Sequence, residues 1–98
     1  MLVLITYDVS TEDKEGKKRL RRVAKQCVNY GIRVQNSVFE CTASPAKILE
    51  LKHKLTKEID VEKDSLRFYY LGNEEKAKTK VEHIGTKMPI DLNEPLMF

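Results

Sequence analysis

Residues 2–9 read Leu-Val-Leu-Ile-Thr-Tyr-Asp-Val, with β-branched or aromatic residues at both sets of alternate positions. A strand of that composition has no dependable water-facing side, so it must be covered on both faces. The chain has 98 residues, enough for one domain that buries roughly two-thirds of its unfolded surface. One layer of helices is within reach of such a domain. The cover for the second face has to come from elsewhere.

The rest of the pattern supplies the helices. Leu20, Val23, Ala24, Cys27 and Val28 follow the spacing of an amphipathic helix. Gly31 is expected to stop that helix in the left-handed C′ conformation. Two strands, 32–35 and 37–42, follow around a tight turn near Asn36. Ser44 and Pro45 predict the N-cap and first position of a second helix, with Ile48, Leu51, Leu55 and Ile59 on its buried face. Residues 66–71, Leu-Arg-Phe-Tyr-Tyr-Leu, form another strand, again without a polar face. The order βαββαβ predicts an α+β, ferredoxin-like fold: one sheet with both helices on one side. A second copy packed on the open face, through the sheets, is the economical cover.

Residues 1–72 make this core, and 73–98 are an extension. Within it, 80–85 alternate as a short extra strand, with Val81 and Ile84 as its apolar members. The tail beyond carries Pro89 and Pro95 among Ile90, Leu92, Leu96, Met97 and Phe98. It is expected to join a sheet edge, its own or its twin's, or to dock on another protein. The longest early apolar run is too short to span a bilayer, and no basic leader precedes it. Cys27 and Cys41 form no CxxC and read as buried thiols of a cytoplasmic protein.

Charge is concentrated. Net charge is +3, yet residues 14–25 hold seven cations (Lys14, Lys17, Lys18, Arg19, Arg21, Arg22 and Lys25) against Glu15 alone. The remainder of the chain is therefore net negative. Such a stripe either binds phosphates, releasing their counterions, or is a solvated helix face. Nucleophile elbows, phosphate loops and dinucleotide fingerprints are absent. His53 and His83 have no second ligand at metal spacing, so zinc is not expected.

Asp8 is the acid with the most to explain. A carboxylate ending an apolar strand either caps the following loop through backbone amides or binds a cation. One carboxylate is little for Mg²⁺, but a two-fold axis near the strand ends would supply two. Tyr7 and Arg33 are candidates to assist, Arg33 at the start of the second strand by pairing with Asp8 or with phosphate. Arg33 is equally suited to a structural salt bridge, and Phe39 reads as core rather than as a base-stacking platform.

Tyr7-Asp8-Val9 after an apolar strand, the basic helix, and the string Gly31-Ile32-Arg33-Val34-Gln35-Asn36-Ser37-Val38-Phe39-Glu40 resemble the CRISPR-associated protein 2 family. The likeness runs from residue 1 to about 72, and Lys-Val-Glu-His-Ile-Gly at 80–85 is similar to the family's exchanged C-terminal strand. The resemblance implies a ferredoxin-like homodimer at the hub of the spacer-acquisition complex, flanked by dimers of the integrase, CRISPR-associated protein 1. It also implies an endonuclease on single-stranded RNA or duplex DNA that uses Mg²⁺ or Mn²⁺. The family's aspartate falls on Asp8, its arginine on Arg33 and its aromatic on Phe39; its helix arginines leave Arg19, Arg21 and Arg22 open.

Three functions follow as expectations. The first is a phosphodiesterase with Asp8 as metal ligand and Tyr7 and Arg33 beside it. The second is a non-catalytic hub holding DNA on Lys17, Lys18, Arg19, Arg21, Arg22 and Lys25. The third is a small-molecule regulatory module, for which no pocket motif is present.

Overall fold

A computed structural model describes residues 1–71 and 80–85. The element order is β1 (Leu2–Asp8), α1 (Lys14–Cys27), β2 (Gly31–Gln35), β3 (Val38–Thr42), α2 (Pro45–Glu58), β4 (Ser65–Leu71) and β5 (Lys80–Gly85). One sheet holds all five strands in the order β2-β3-β1-β4-β5, and every neighbouring pair is antiparallel. The first four strands and two helices form the ferredoxin-like arrangement. In the single chain β5 lies against its own β4. The linker 73–79 and the tail from Thr86 onward fall outside the described residues.

The central strand is β1, flanked by β3 and β4 over its length. Its alternation sorts the molecule into two sides. Val3, Ile5 and Tyr7 are buried beneath the helices with Phe39, Cys41, Leu66 and Phe68. Val23, Ala24 and Cys27 come down from α1, and Ile48, Leu51 and Leu55 from α2. Fully burying each large aliphatic side chain contributes about 1.5–3 kcal/mol before entropy is counted, so this layer carries the fold. Leu2, Leu4 and Thr6 face the other way and are only half-buried.

Local chemistry sets the helix ends. The Asp13 carboxylate accepts from the Gly16 amide at 2.8 Å and opens α1. The Ser44 hydroxyl accepts from the Lys47 amide at 3.2 Å, and Pro45 follows it into α2. Both are N-caps, satisfying amides that have no carbonyl one turn back. The expected role of Gly31 is corrected. α1 ends on Val28 in right-handed geometry, and Gly31 opens β2. A Cβ at Gly31 would sit 2.0 Å from the Glu40 carbonyl oxygen, so glycine is needed for strand approach rather than for a turn. Val28, expected inside, is 47% exposed.

Gly16 shows the same constraint more sharply. A Cβ there would lie 1.7 Å from the Ser10 carbonyl oxygen. Gly16→Ala is therefore expected to force the β1–α1 loop aside and destabilise the domain by about 1–3 kcal/mol. A urea midpoint equal to that of the unmodified chain would refute this.

Candidate nuclease site and nucleic-acid interface

Asp8 is the last residue of β1, on the open face with Leu4 and Thr6, and its side chain is exposed. Ser65, the first residue of β4, is its cross-strand partner. A cavity of about 250 Å³ opens at this end of the sheet, and Asp8, Thr11, Asn36 and Ser37 are among its lining residues. These are hard oxygen donors of the kind Mg²⁺ and Mn²⁺ accept. Among the described residues no three of His, Cys, Asp and Glu gather to hold a metal ion. One chain thus offers a single carboxylate with neutral oxygens around it. The donor set fits a divalent cation, but two copies would be needed to make a charged clamp.

Tyr7 also lines this cavity, but its side chain leaves β1 on the other face from that of Asp8. Adjacent residues of a strand point to opposite faces, and Tyr7 is buried on the helix side. Its hydroxyl donates to Asp64. Burial pushes this hydroxyl far above the ordinary tyrosine range, and the hydrogen bond to Asp64 pushes it the same way.

Asp64 does not stand out in the sequence as a functional candidate. It is fully buried immediately before β4, and four donors converge on it. Arg19 gives it a two-pronged contact, Nε to Oδ2 at 2.8 Å and Nη2 to Oδ1 at 3.2 Å. The Asp60 amide donates at 3.0 Å, and Tyr7 completes the set. Burial alone would raise the Asp64 carboxyl, but the bonds from Arg19, Tyr7 and Asp60 outweigh it and hold the group below the usual carboxylate range. The bond to Asp64 in turn raises Arg19 above its already high value. The nearest sequence signal is the one that draws notice to Asp8: an acid at the end of an apolar strand.

This network removes Arg19 from the basic stripe. Its side chain is 12% exposed and turned toward Asp64, whereas Lys17, Lys18, Arg21, Arg22 and Lys25 are exposed. Lys17, Arg21 and Lys25 follow one another at four-residue spacing along one flank of α1. With Leu20, Ala24 and Val28 they line a groove of about 530 Å³ whose far wall is Arg33 of β2.

Among the described residues Arg33 forms no salt bridge. Its Nε and Nη2 both donate to the Asn36 carbonyl, at 2.9 and 2.6 Å, and brace the β2–β3 turn. The guanidinium also lies 5.7 Å from the centre of the Phe39 ring. Phe39 is fully buried on the helix side, as a core residue. Cys27 and Cys41 are free and buried.

Beyond the helices, the sheet's open face is mixed, with Glu40, Thr42, Arg67 and His83 among its apolar residues. Ile32 and Val34 of β2 and Val81 of β5 are exposed on it, beside half-buried Leu2, Leu4, Tyr69 and Leu71. Among the described residues no helix is long and apolar enough to cross a membrane.

Residues 1–79 match the family model described as CRISPR associated protein Cas2. The chain is 63% identical over 98 residues to a CRISPR-associated endonuclease Cas2 of Halalkalibacterium halodurans, covering the whole of both. It is 58% identical to a CRISPR-associated endoribonuclease Cas2 of Nitratidesulfovibrio vulgaris, over all of this chain and 94% of that one. A crystal structure of Cas2 from Streptococcus pyogenes matches with a TM-score of 0.72 at 58% identity, over 80% of this chain and 95% of that one. A hypothetical protein of Thermus thermophilus matches at 0.63 and 30% identity, over 74% and 82%.

Proposed function

The chain belongs to the CRISPR-associated protein Cas2 family, and we propose that it works as a homodimeric, metal-dependent endonuclease that also holds nucleic acid during CRISPR adaptation. The observation that carries this reading is the place of Asp8: the end of the central strand, on the face no helix covers. A second copy on that face would bury Ile32, Val34 and Val81. With the two-fold axis near the strand ends, two Asp8 carboxylates would face each other. Their repulsion makes a divalent cation welcome.

Asp8 from each copy would hold Mg²⁺ or Mn²⁺, and the ion, once bound, supplies an activated water and charge for the phosphate. Relatives named endonuclease and endoribonuclease support phosphodiester cleavage as the reaction. Tyr7 serves this site from behind the sheet, as an anchor. Arg33 shapes the loop that carries Asn36 and Ser37 into the cavity.

The stripe supports a second role for the same dimer, a hub that holds DNA between copies of the integrase, CRISPR-associated protein 1. Duplex affinity then depends on Lys17, Lys18, Arg21, Arg22 and Lys25. Replacing Arg21, Arg22 and Lys25 by Gln should weaken duplex binding. It should also flatten the plot of log affinity against log salt, by up to about 0.9 for each phosphate that is no longer neutralised. Arg19→Gln should leave that slope alone, because Arg19 faces Asp64. A triple variant with an unchanged slope would dismiss the stripe as a binding surface. Cytoplasmic residence fits both roles.

A further inference from the structure

Asp64 is the one buried carboxylate among the described residues, and nucleic acid cannot touch it. Its setting gives it a different task. Tyr7, bonded to it, is the immediate neighbour of Asp8. Ser65, next to it in the chain, is the cross-strand partner of both Asp8 and Gly85. Gly85 lies so close that a Cβ there would come within 2.1 Å of the Asp64 carbonyl oxygen. Arg19 ties the same carboxylate to α1. So β1, α1, the turn before β4 and the end of β5 are all referred to one residue, at the end of the sheet where Asp8 emerges.

Stability alone does not call for such a network. A buried ion pair can often be exchanged for apolar side chains of similar volume without loss of stability. What apolar contacts do not supply is directional fixing of the groups they touch. We propose that Asp64 is a positioning residue for cleavage: through Tyr7 and Ser65 it fixes the strand end that presents Asp8, and it holds Arg19 off the nucleic acid. This rests on the reading of Asp8 as the cleavage carboxylate. If Asp8→Asn cuts as fast as the unmodified chain, that reading fails and takes this one with it.

The test replaces the whole network by apolar groups, Tyr7→Phe with Arg19→Met and Asp64→Leu, in the full-length dimer. Cleavage of a labelled DNA duplex and a labelled single-stranded RNA is followed in Mg²⁺. The expected result is a folded dimer with unchanged KM and duplex affinity and a kcat lower by roughly tenfold to a hundredfold, the penalty of a small misplacement. A folded variant whose kcat lies within about twofold of the unmodified chain, beside an inert Asp8→Asn, overturns the proposal and spares the site. Should the triple variant not fold, Arg19→Lys provides the same decision. It keeps a charge opposite Asp64 but loses the two-pronged geometry, so kcat should fall with KM unmoved. Full kcat in Arg19→Lys would then overturn the proposal.

Discussion

An Asp8→Asn chain should fold, dimerise and bind duplex DNA normally, yet lose cleavage by about 100-fold or more. Residues that merely support metal ligands typically cost about 10–100-fold when removed, and Asp8 would be a ligand itself. The exchange keeps size and one acceptor oxygen while removing the charge. Asp8 is exposed, and exposed substitutions usually move stability by no more than about 0.5 kcal/mol, so a loss of activity would not be a loss of fold. A second readout separates ligand from loop cap. In the unmodified dimer Mg²⁺ should raise the unfolding temperature, since an ion bound only to the folded state stabilises it by mass action. In Asp8→Asn that rise should vanish, and the metal-free dimer should be slightly more stable once two facing carboxylates no longer repel. If cleavage and the Mg²⁺-dependent rise both survive the substitution, Asp8 is a cap of the β1–α1 loop and the active site lies elsewhere.

The sequence is legible wherever a short-range rule decides the outcome. Alternation in residues 2–9 identifies the strand β1, and Ser44-Pro45 marks the start of α2 to the residue. Gly31 is misread because a glycine after a helix looks the same whether it takes a left-handed turn or admits a neighbouring strand. Only the Glu40 carbonyl, nine residues on, tells the two apart. Arg19 is misread because charge counting ignores which flank of a helix each cation occupies. Its neighbours Arg21 and Arg22 belong to the stripe, and it does not. Asp64 escapes notice for a related reason. Its partners are 45 and 57 positions away in the chain, and no local pattern couples them. Period two, in contrast, already separates Tyr7 from Asp8. Grouping them as one catalytic set overlooks that period, since the strand puts them back to back.

Asp64→Ala should destabilise the domain by about 3–5 kcal/mol, the usual penalty for stripping one partner from a buried ion pair. Arg19 would be left without a counter-charge, and the buried Tyr7 hydroxyl without its acceptor, at this end of the sheet. Against a typical total of about 5–15 kcal/mol, that is enough to leave a visible unfolded fraction at moderate temperature. The pH dependence follows from the direction of each shift. Asp64 is held below the carboxylate range. Its contribution is therefore complete above the unfolded value near about 4 and disappears as pH falls through the lower folded value. Tyr7 is shifted upward, chiefly by burial and then by Asp64. Its contribution is complete below the unfolded value near about 10 and is lost as pH climbs toward the raised one. Tyr70 adds to the same alkaline edge, since burial and its bond to Glu82 also shift it upward. One cluster thus helps set both the acid and the alkaline limits of the unmodified chain. Urea unfolding of Asp64→Ala across the pH range should show a lower midpoint at neutrality and a weaker decline toward acid. A midpoint within experimental error of the unmodified chain at neutral pH would mean that Arg19 and Tyr7 find other partners, and that the carboxylate is not what ties this end of the sheet together.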